Sequence, residues 1–214
     1  SSSGRDTFVE WDRRSEKMQD LTESALRSII DKEVDAYNAA VEALQPGAGE
    51  AGKMVQAIYL CKAAYHIYLA KGASEHEAEI VATHQVKANL VGHDSHGVIH
   101  IPEYVGRINR GHIVPGAPFV VEQETASTAV INGNWGFGFV VTERAMNMAI
   151  EKAKTSGVAA ITIHHQSHVG RVGDYPTMAA EQGMIGLVTA DSGAGPKAVV
   201  PFGGRARRLG TNPI

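Results

Sequence analysis

The chain has 214 residues, 43% of them hydrophobic, and sets 20 Lys and Arg against 23 Asp and Glu for a net charge of −3. That is enough apolar material for one core or two small ones, and the charge balance argues against nucleic acid or an anionic membrane as the main partner, since both select basic surfaces. A single cysteine, Cys61, excludes an internal disulfide and no apolar run reaches the ~20 residues that span a bilayer, so a cytoplasmic protein in a reducing compartment is expected.

In chain order, the opening "SSSGRDTFVEWDRR" is polar and lacks the apolar core of a secretion signal. Over residues 20–44, Leu26, Ile29, Ile30, Tyr37, Val41 and Leu44 follow helical spacing. Pro46, Gly47, Gly49 and Gly52 then read as a linker. A second helix is predicted from about 54 to 71, with Gly72 placed to cap it and Cys61 inside it as a buried thiol. Ser74 and Glu77 form an S-x-x-E capping box that opens a third helix through Leu90. Residues 101–109 read as a fourth, with Pro102 tolerated in its first turn and Gly111 behind it.

From Pro115 the period changes. "FVVEQE" and "TAVING" read as paired strands turning at Ala126 and Ser127. A helix follows over 139–155, stopped by Gly157, and 158-VAAITIHH-165 reads as a nearly continuous apolar strand. A helix over 174–182 leads through Gly183 into a predicted strand, 184-MIGLVTA-190, and a last apolar run, 198-AVVPF-202. The fold class expected is α/β, with a helical N-terminal layer on a sheet. The division is an extension over 1–50, a helical domain over 53–113 and an α/β domain over 114–214.

Two patterns suggest chemistry. The segment 193-GAGPKA-198 formally satisfies G-x-G-x-x-A after a predicted strand. A dinucleotide turn of the Rossmann kind also needs a helix to open there, so that its amides meet the pyrophosphate. Pro196 followed by a strand-like run does not make one, so this reads as a glycine-rich loop. The second pattern is histidine. His93, His96 and His100 are close in "LVGHDSHGVIH", and His164, His165 and His168 follow a strand. Three imidazoles on one helix face could bind zinc. However, Asp94-Ser95-His96-Gly97 reads as a helix start, which sets the three apart and leaves His93 and His100 as capping or packing residues. His168 stands out, because it lies beyond a strand between Gly170, Gly173 and a helix, where α/β folds place ligands. An imidazole there can donate or accept a proton near neutral pH.

These motifs come in a recognisable order: "ANLVGHDSHGV", "IPEYV", "GFG", "HVGRVGDY", "PFGG" and "LGTNPI". From about residue 53 to 214 the chain resembles the malate/L-lactate dehydrogenase family, NAD(P)-dependent 2-hydroxyacid oxidoreductases that are not Rossmann-folded. The resemblance implies a mixed, largely antiparallel sheet flanked by helices, a homodimer, NAD or NADP as cofactor and a small 2-oxo or 2-hydroxy acid as substrate. It implies that His168 exchanges the proton of the carbonyl oxygen, that Ser95 and His96 line the substrate pocket, and that Ser192, Thr211, Asn212 and Pro213 lie beside the dinucleotide. On this reading 53–113 is the substrate side and 114–214 the first part of the cofactor side, since the family's pattern continues past "TNPI".

Two departures from the family pattern are informative. Many members carry arginine, suited to gripping a carboxylate, where this chain has His100, and a small residue where it has Arg171. The cation is therefore expected to have moved, with Arg171 holding the substrate carboxylate or the cofactor; a surface pair between Arg171 and Asp174 is the alternative. Rival readings are a truncated, non-catalytic binding or assembly module and, behind it, a zinc hydrolase; no metal site is expected.

Overall fold

A computed structural model describes residues 49–191, 199–211 and 213–214, with Ser28, Asp31, Lys32, Asp35 and Ala39 as isolated helical positions. The rest of the helix expected over 20–44 lies outside the described residues. In order come α1 (Gly49–Ala70), α2 (Glu75–Leu90), two single 3-10 turns (Asp94–His96 and Val98–His100) and α3 (Ile101–Asn109). Then follow β1 (Val120–Glu124), β2 (Thr128–Asn132), α4 (Gly138–Ser156), β3 (Ala160–His164) and α5 (Asp174–Ala180).

The helical layer is built on small side chains. Ala64, Ala78 and Ala82 are fully buried between α1 and α2, letting the helices approach closely, while Tyr65, Tyr68, Val81, Tyr104, Ile113, Phe137 and Phe139 fill the remaining space. Tyr68 is completely buried and donates its hydroxyl to Gln85 Oε1 at 2.9 Å, which satisfies a polar group inside the core. The expected linker at 46–52 is shorter than predicted, because α1 continues back to Gly49. Glycine lowers helix propensity without forbidding a helix end that later turns support.

The capping box forms as read. Ser74 Oγ accepts from the Glu77 amide at 3.3 Å and Glu77 Oε2 accepts from the Ser74 amide at 2.9 Å. Glu77 also accepts from the Gly116 amide at 2.9 Å and so ties the start of α2 to the chain entering β1. The stops at Gly72, Gly111, Gly157 and Gly183 all take positive φ, between 71° and 87°.

The three strands run in the order β1-β2-β3. β1 pairs antiparallel with β2 and β2 pairs parallel with β3, from Thr128 opposite Ala160 to Asn132 opposite His164. A parallel pair needs a crossover, and α4 provides it, packing Val141 and Met148 onto Ala129, Ile131, Ile161 and Ile163. The sheet is thus mixed, with one pairing of each sense.

One predicted strand does not form. Residues 184–190 make no ladder among the described residues, and Ile185 and Leu187 are exposed. An apolar run becomes a strand only where an edge receives its N–H and C=O groups; here the Ala190 amide meets only Pro213 O. Of the last apolar run, the described residues 199–202 make a single bridge, Val199 to Leu209.

Glu77→Ala is expected to destabilise the fold by about 2 kcal/mol or more, since it removes the reciprocal cap and strands the Gly116 amide. Urea denaturation of the variant beside the native chain measures it.

Candidate functional site

The site forms where α3 meets the loop after β3. His165 leaves the strand with φ +48°, and three residues later His168 turns in under the helical layer. Gly138 at the start of α4 makes this close approach possible, because a Cβ there would run into the backbone oxygens of Ser167 and His168. Gly170, at φ +69°, lies against the Phe139 ring where no Cβ would fit. Tyr175 donates its hydroxyl to Val169 O and holds the loop from below.

Opposite, the segment 93–100 is folded as two tight turns rather than the start of a helix. Asn89, near the end of α2, organises both: its Nδ2 donates to Asp94 Oδ1 at 2.6 Å and its Oδ1 accepts from the Val98 amide at 2.9 Å. The result overturns the expected separation of the histidines. The ring centroids of His93 and His96 are 4.5 Å apart, His96 stacks on His168 at 5.4 Å, and His100 lies 5.6 Å from His168. Close as they are, among the described residues no group of three His, Cys, Asp or Glu is arranged to hold a metal ion.

His168 Nδ1 faces the Tyr104 hydroxyl at 2.5 Å and accepts from the Gly170 amide at 3.3 Å. Among the described residues Nε2 makes no hydrogen bond, so it is the nitrogen left for a ligand. Burial, helped by the electrostatic influence of His96, His100 and Arg107, pushes the His168 pKa down to about 4. Burial likewise raises the Tyr104 hydroxyl well above its ordinary range, so it remains a neutral phenol. His96 is lowered by burial and by His93 and His100, and its Nδ1 bonds Ser95 Oγ at 3.0 Å.

His100 is doubly engaged: Nε2 reaches Ser95 O at 2.6 Å and Nδ1 reaches Glu103 Oε2 at 2.7 Å. The other oxygen of Glu103 accepts from Arg107 at 2.6 Å. Arg171 is committed elsewhere. Its guanidinium donates to Asp174 Oδ1 at 2.7 Å, and Asp174 is buried to 1% exposure. The same carboxylate lies 3.3 Å from Lys87 Nζ and 3.5 Å from His84 Nδ1, while His84 Nε2 meets Glu143 at 2.9 Å. Burial opposes charge on His84, but the Asp174 and Glu143 carboxylates outweigh it and raise the ring's pKa. Burial also opposes the charged form of Asp174, and His84 and Lys87 overcome it to hold that carboxyl low.

On the opposite flank, Thr211 and Pro213 are exposed, and the Ala190–Pro213 bond brings their turn beside the loop that precedes Ser192. Ser192, Asn212 and the loop 193–198 lie outside the described residues. Tyr104, Glu103 and Arg107 were not singled out as site residues in the sequence. The available signal was their spacing from His100: helical neighbours at i+3, i+4 and i+7 share its face.

A helical layer on a mixed sheet, with a half-buried imidazole in the loop beyond a strand and beneath the Glu103–Arg107 face of α3, defines a non-Rossmann α/β protein with a candidate acid–base group. Comparison with known proteins is specific: residues 55–214 match the model of the malate/L-lactate dehydrogenase family, and the chain belongs to that family. The L-sulfolactate dehydrogenase of Methanothermobacter thermautotrophicus is 43% identical over 148 residues, 69% of this chain and 42% of that protein. Hydroxycarboxylate dehydrogenase B of Escherichia coli strain K12 is 37% identical over 148 residues, 69% of this chain and 41% of that protein. The solved malate dehydrogenase of Pyrococcus horikoshii OT3 superposes with a TM-score of 0.70 at 38% identity, covering 73% of this chain and 44% of that one. The chain therefore spans less than half the length of these relatives.

Two outcomes are expected. Between about pH 6.5 and 4 the unfolded chain binds a proton that folded His168 does not, so this group costs stability as the pH falls through that window and has no effect above it. His84 has the opposite sign: its pairing is fully present below the unfolded range and is lost as the pH rises through its raised folded value. NMR of the ring nuclei should show His168 flat from pH 8 to about 5.5; a midpoint near 6.5 would contradict the buried setting. Gly170→Ala, strained at positive φ and pressed into Phe139, should lose about 2–4 kcal/mol in urea denaturation.

Proposed function

We propose that the chain is the substrate-binding and proton-exchanging part of an NAD(P)-dependent dehydrogenase acting on a small 2-hydroxy or 2-oxo acid. The observation that carries this reading is the placement of His168. Its Nδ1 is anchored to Tyr104, its Nε2 is left for a ligand, and His96 and His100 lie against it. Membership of the malate/L-lactate dehydrogenase family supplies the reaction class.

His168 moves the proton. A tyrosine hydroxyl both donates and accepts, so Tyr104 accommodates His168 with its proton on either nitrogen. When a hydroxy acid is oxidised, the ring adopts the tautomer in which Nδ1–H donates to the Tyr104 oxygen, giving up the longer 3.3 Å bond from the Gly170 amide, while Nε2 takes the alcohol proton. In the reverse direction the doubly protonated ring returns that proton to the carbonyl oxygen. Ser95 and His96 orient the substrate, with the serine hydroxyl fixing the imidazole at Nδ1. His100 braces the turn that carries them. Arg171, expected either to hold the carboxylate or the cofactor or to pair with Asp174, would have to share Asp174's hold to serve a ligand.

Bound, the nicotinamide accepts or delivers the hydride. Thr211 and Pro213, with Ser192 and Asn212 of the adjoining segments, would hold the dinucleotide. The Ala190–Pro213 bond supports this reading by joining those segments. On the same reading 53–113 forms the substrate side and 114–214 the first part of the cofactor side, after an extension over 1–50. The working unit is a cytoplasmic homodimer. No described helix is long and apolar enough to cross a membrane.

His168→Asn should lower turnover of a 2-oxo acid by about a hundredfold or more, while reduced nicotinamide cofactor still binds, as read by its fluorescence. Unchanged turnover would remove His168 from the mechanism. No cofactor binding by the native chain would favour a non-catalytic module.

A further inference from the structure

We infer that Arg107 is the cation that receives the substrate carboxylate, with Glu103 holding it in place. The inference rests on the 2-oxo-acid reading above and deepens it. A carboxylate beside His168 needs a cation with donors to give, and three described groups compete.

His100 is close enough, but both of its nitrogens already face acceptors, Ser95 O at 2.6 Å and Glu103 Oε2 at 2.7 Å. Donation to a ligand would break one of these bonds. Arg171 is tied at 2.7 Å to a carboxylate that is 1% exposed, and pulling it away would weaken the neutralisation of a buried charge. Arg107 differs from both. It lies one turn beyond Tyr104 on α3, so the two share a face, and the Tyr104 hydroxyl reaches His168. It gives one N–H to Glu103, at 2.6 Å, out of the five that a guanidinium carries. Its side chain is 34% exposed, open to an incoming ligand yet held in one direction. Through Glu103 it is also linked to His100, whose ring lies 5.6 Å from that of His168.

Glu103 makes the arrangement directional. One oxygen binds His100 and the other binds Arg107, so a single carboxylate aligns the brace of the Ser95 turn with the ligand cation. The pair is itself exposed and contributes little to stability, which leaves its orienting role as the main effect.

Oxalate, a planar two-carbon dianion shaped like the head of a 2-oxo acid, is the probe, titrated calorimetrically into the native chain and into Arg107→Gln, Arg107→Lys, Arg110→Gln and Arg171→Gln. The native chain should bind saturably. Arg107→Gln should weaken binding about tenfold or more, and Arg107→Lys should fall between, since lysine keeps the charge but loses the planar fork. Arg110→Gln should bind as the native chain does. Arg107→Lys also retains a partner for Glu103, so the comparison stands if the glutamine variant fails to fold. Native-like binding by the Arg107 variants overturns the inference. So does an equal loss in Arg110→Gln, which would make the effect one of bulk charge, or a loss confined to Arg171→Gln. If the native chain binds no oxalate, the 2-oxo-acid reading fails and this inference with it. Binding that survives Arg107→Gln removes Arg107 alone.

Discussion

The hydrogen bond between Tyr104 and His168 joins two parts of the chain separated by 64 positions, and the site depends on it. With the bond from Ser167 Oγ to His112 O it links the helical layer to the loop beyond the sheet, and Tyr104 is buried while His168 is half-buried. A buried imidazole without a partner would cost free energy on folding and would rotate freely. With Nδ1 fixed by a phenol that stays neutral, the ring is oriented and its second nitrogen is presented. The glycines at 138 and 170 serve this contact, since any side chain there would push the loop away from Tyr104.

Beneath the loop lies a second constraint of a different kind. Asp174 opens α5 as a nearly buried carboxylate met by Arg171, Lys87 and His84, and His84 reaches across to Glu143 on α4. Charges removed from water are weak sources of net stability, but removing any one partner leaves the others uncompensated. The cluster therefore specifies geometry, pinning α2, α4 and the His168 loop in one relative arrangement. His84 also stacks on Tyr175, whose hydroxyl holds Val169, so Tyr175 connects the ionic cluster to the His168 loop. Arg171 is most simply understood as part of this support.

Local chemistry was well legible in the sequence. The capping box at Ser74, the glycine stops, the hairpin at Ala126 and Ser127 and the helix over 101–109 all rest on interactions within a few residues, which a pattern can display. Residues 184–190 failed as a strand because a strand is a relation to a neighbour, and apolar composition does not say whether an edge is available. The histidines failed for a related reason. Reading 93–100 as a helix start separates the rings, whereas two tight turns held by Asn89 gather them. That side-chain bracing has no sequence signature. His168 was legible from its place beyond a strand, but Tyr104 was hidden, since a tyrosine on an amphipathic helix ordinarily reads as core.

The depressed pKa of His168 raises a difficulty that the surrounding charges resolve. A general base or acid works best with a pKa near the operating pH, and about 4 is too low. Part of that shift is electrostatic, from His96, His100 and the Arg107 cation, and an anionic substrate would act against it on arrival. A carboxylate placed against Arg107 would thus do two things at once. It would anchor the substrate, and by offsetting the Arg107 charge it would raise the His168 pKa. On the 2-oxo-acid reading, the ring is least basic while the pocket is empty and becomes a competent proton carrier once the acid is seated. A neutral alcohol or ketone could occupy the same space without that effect, so selection for a carboxylate would be expressed in the proton-transfer step as well as in binding.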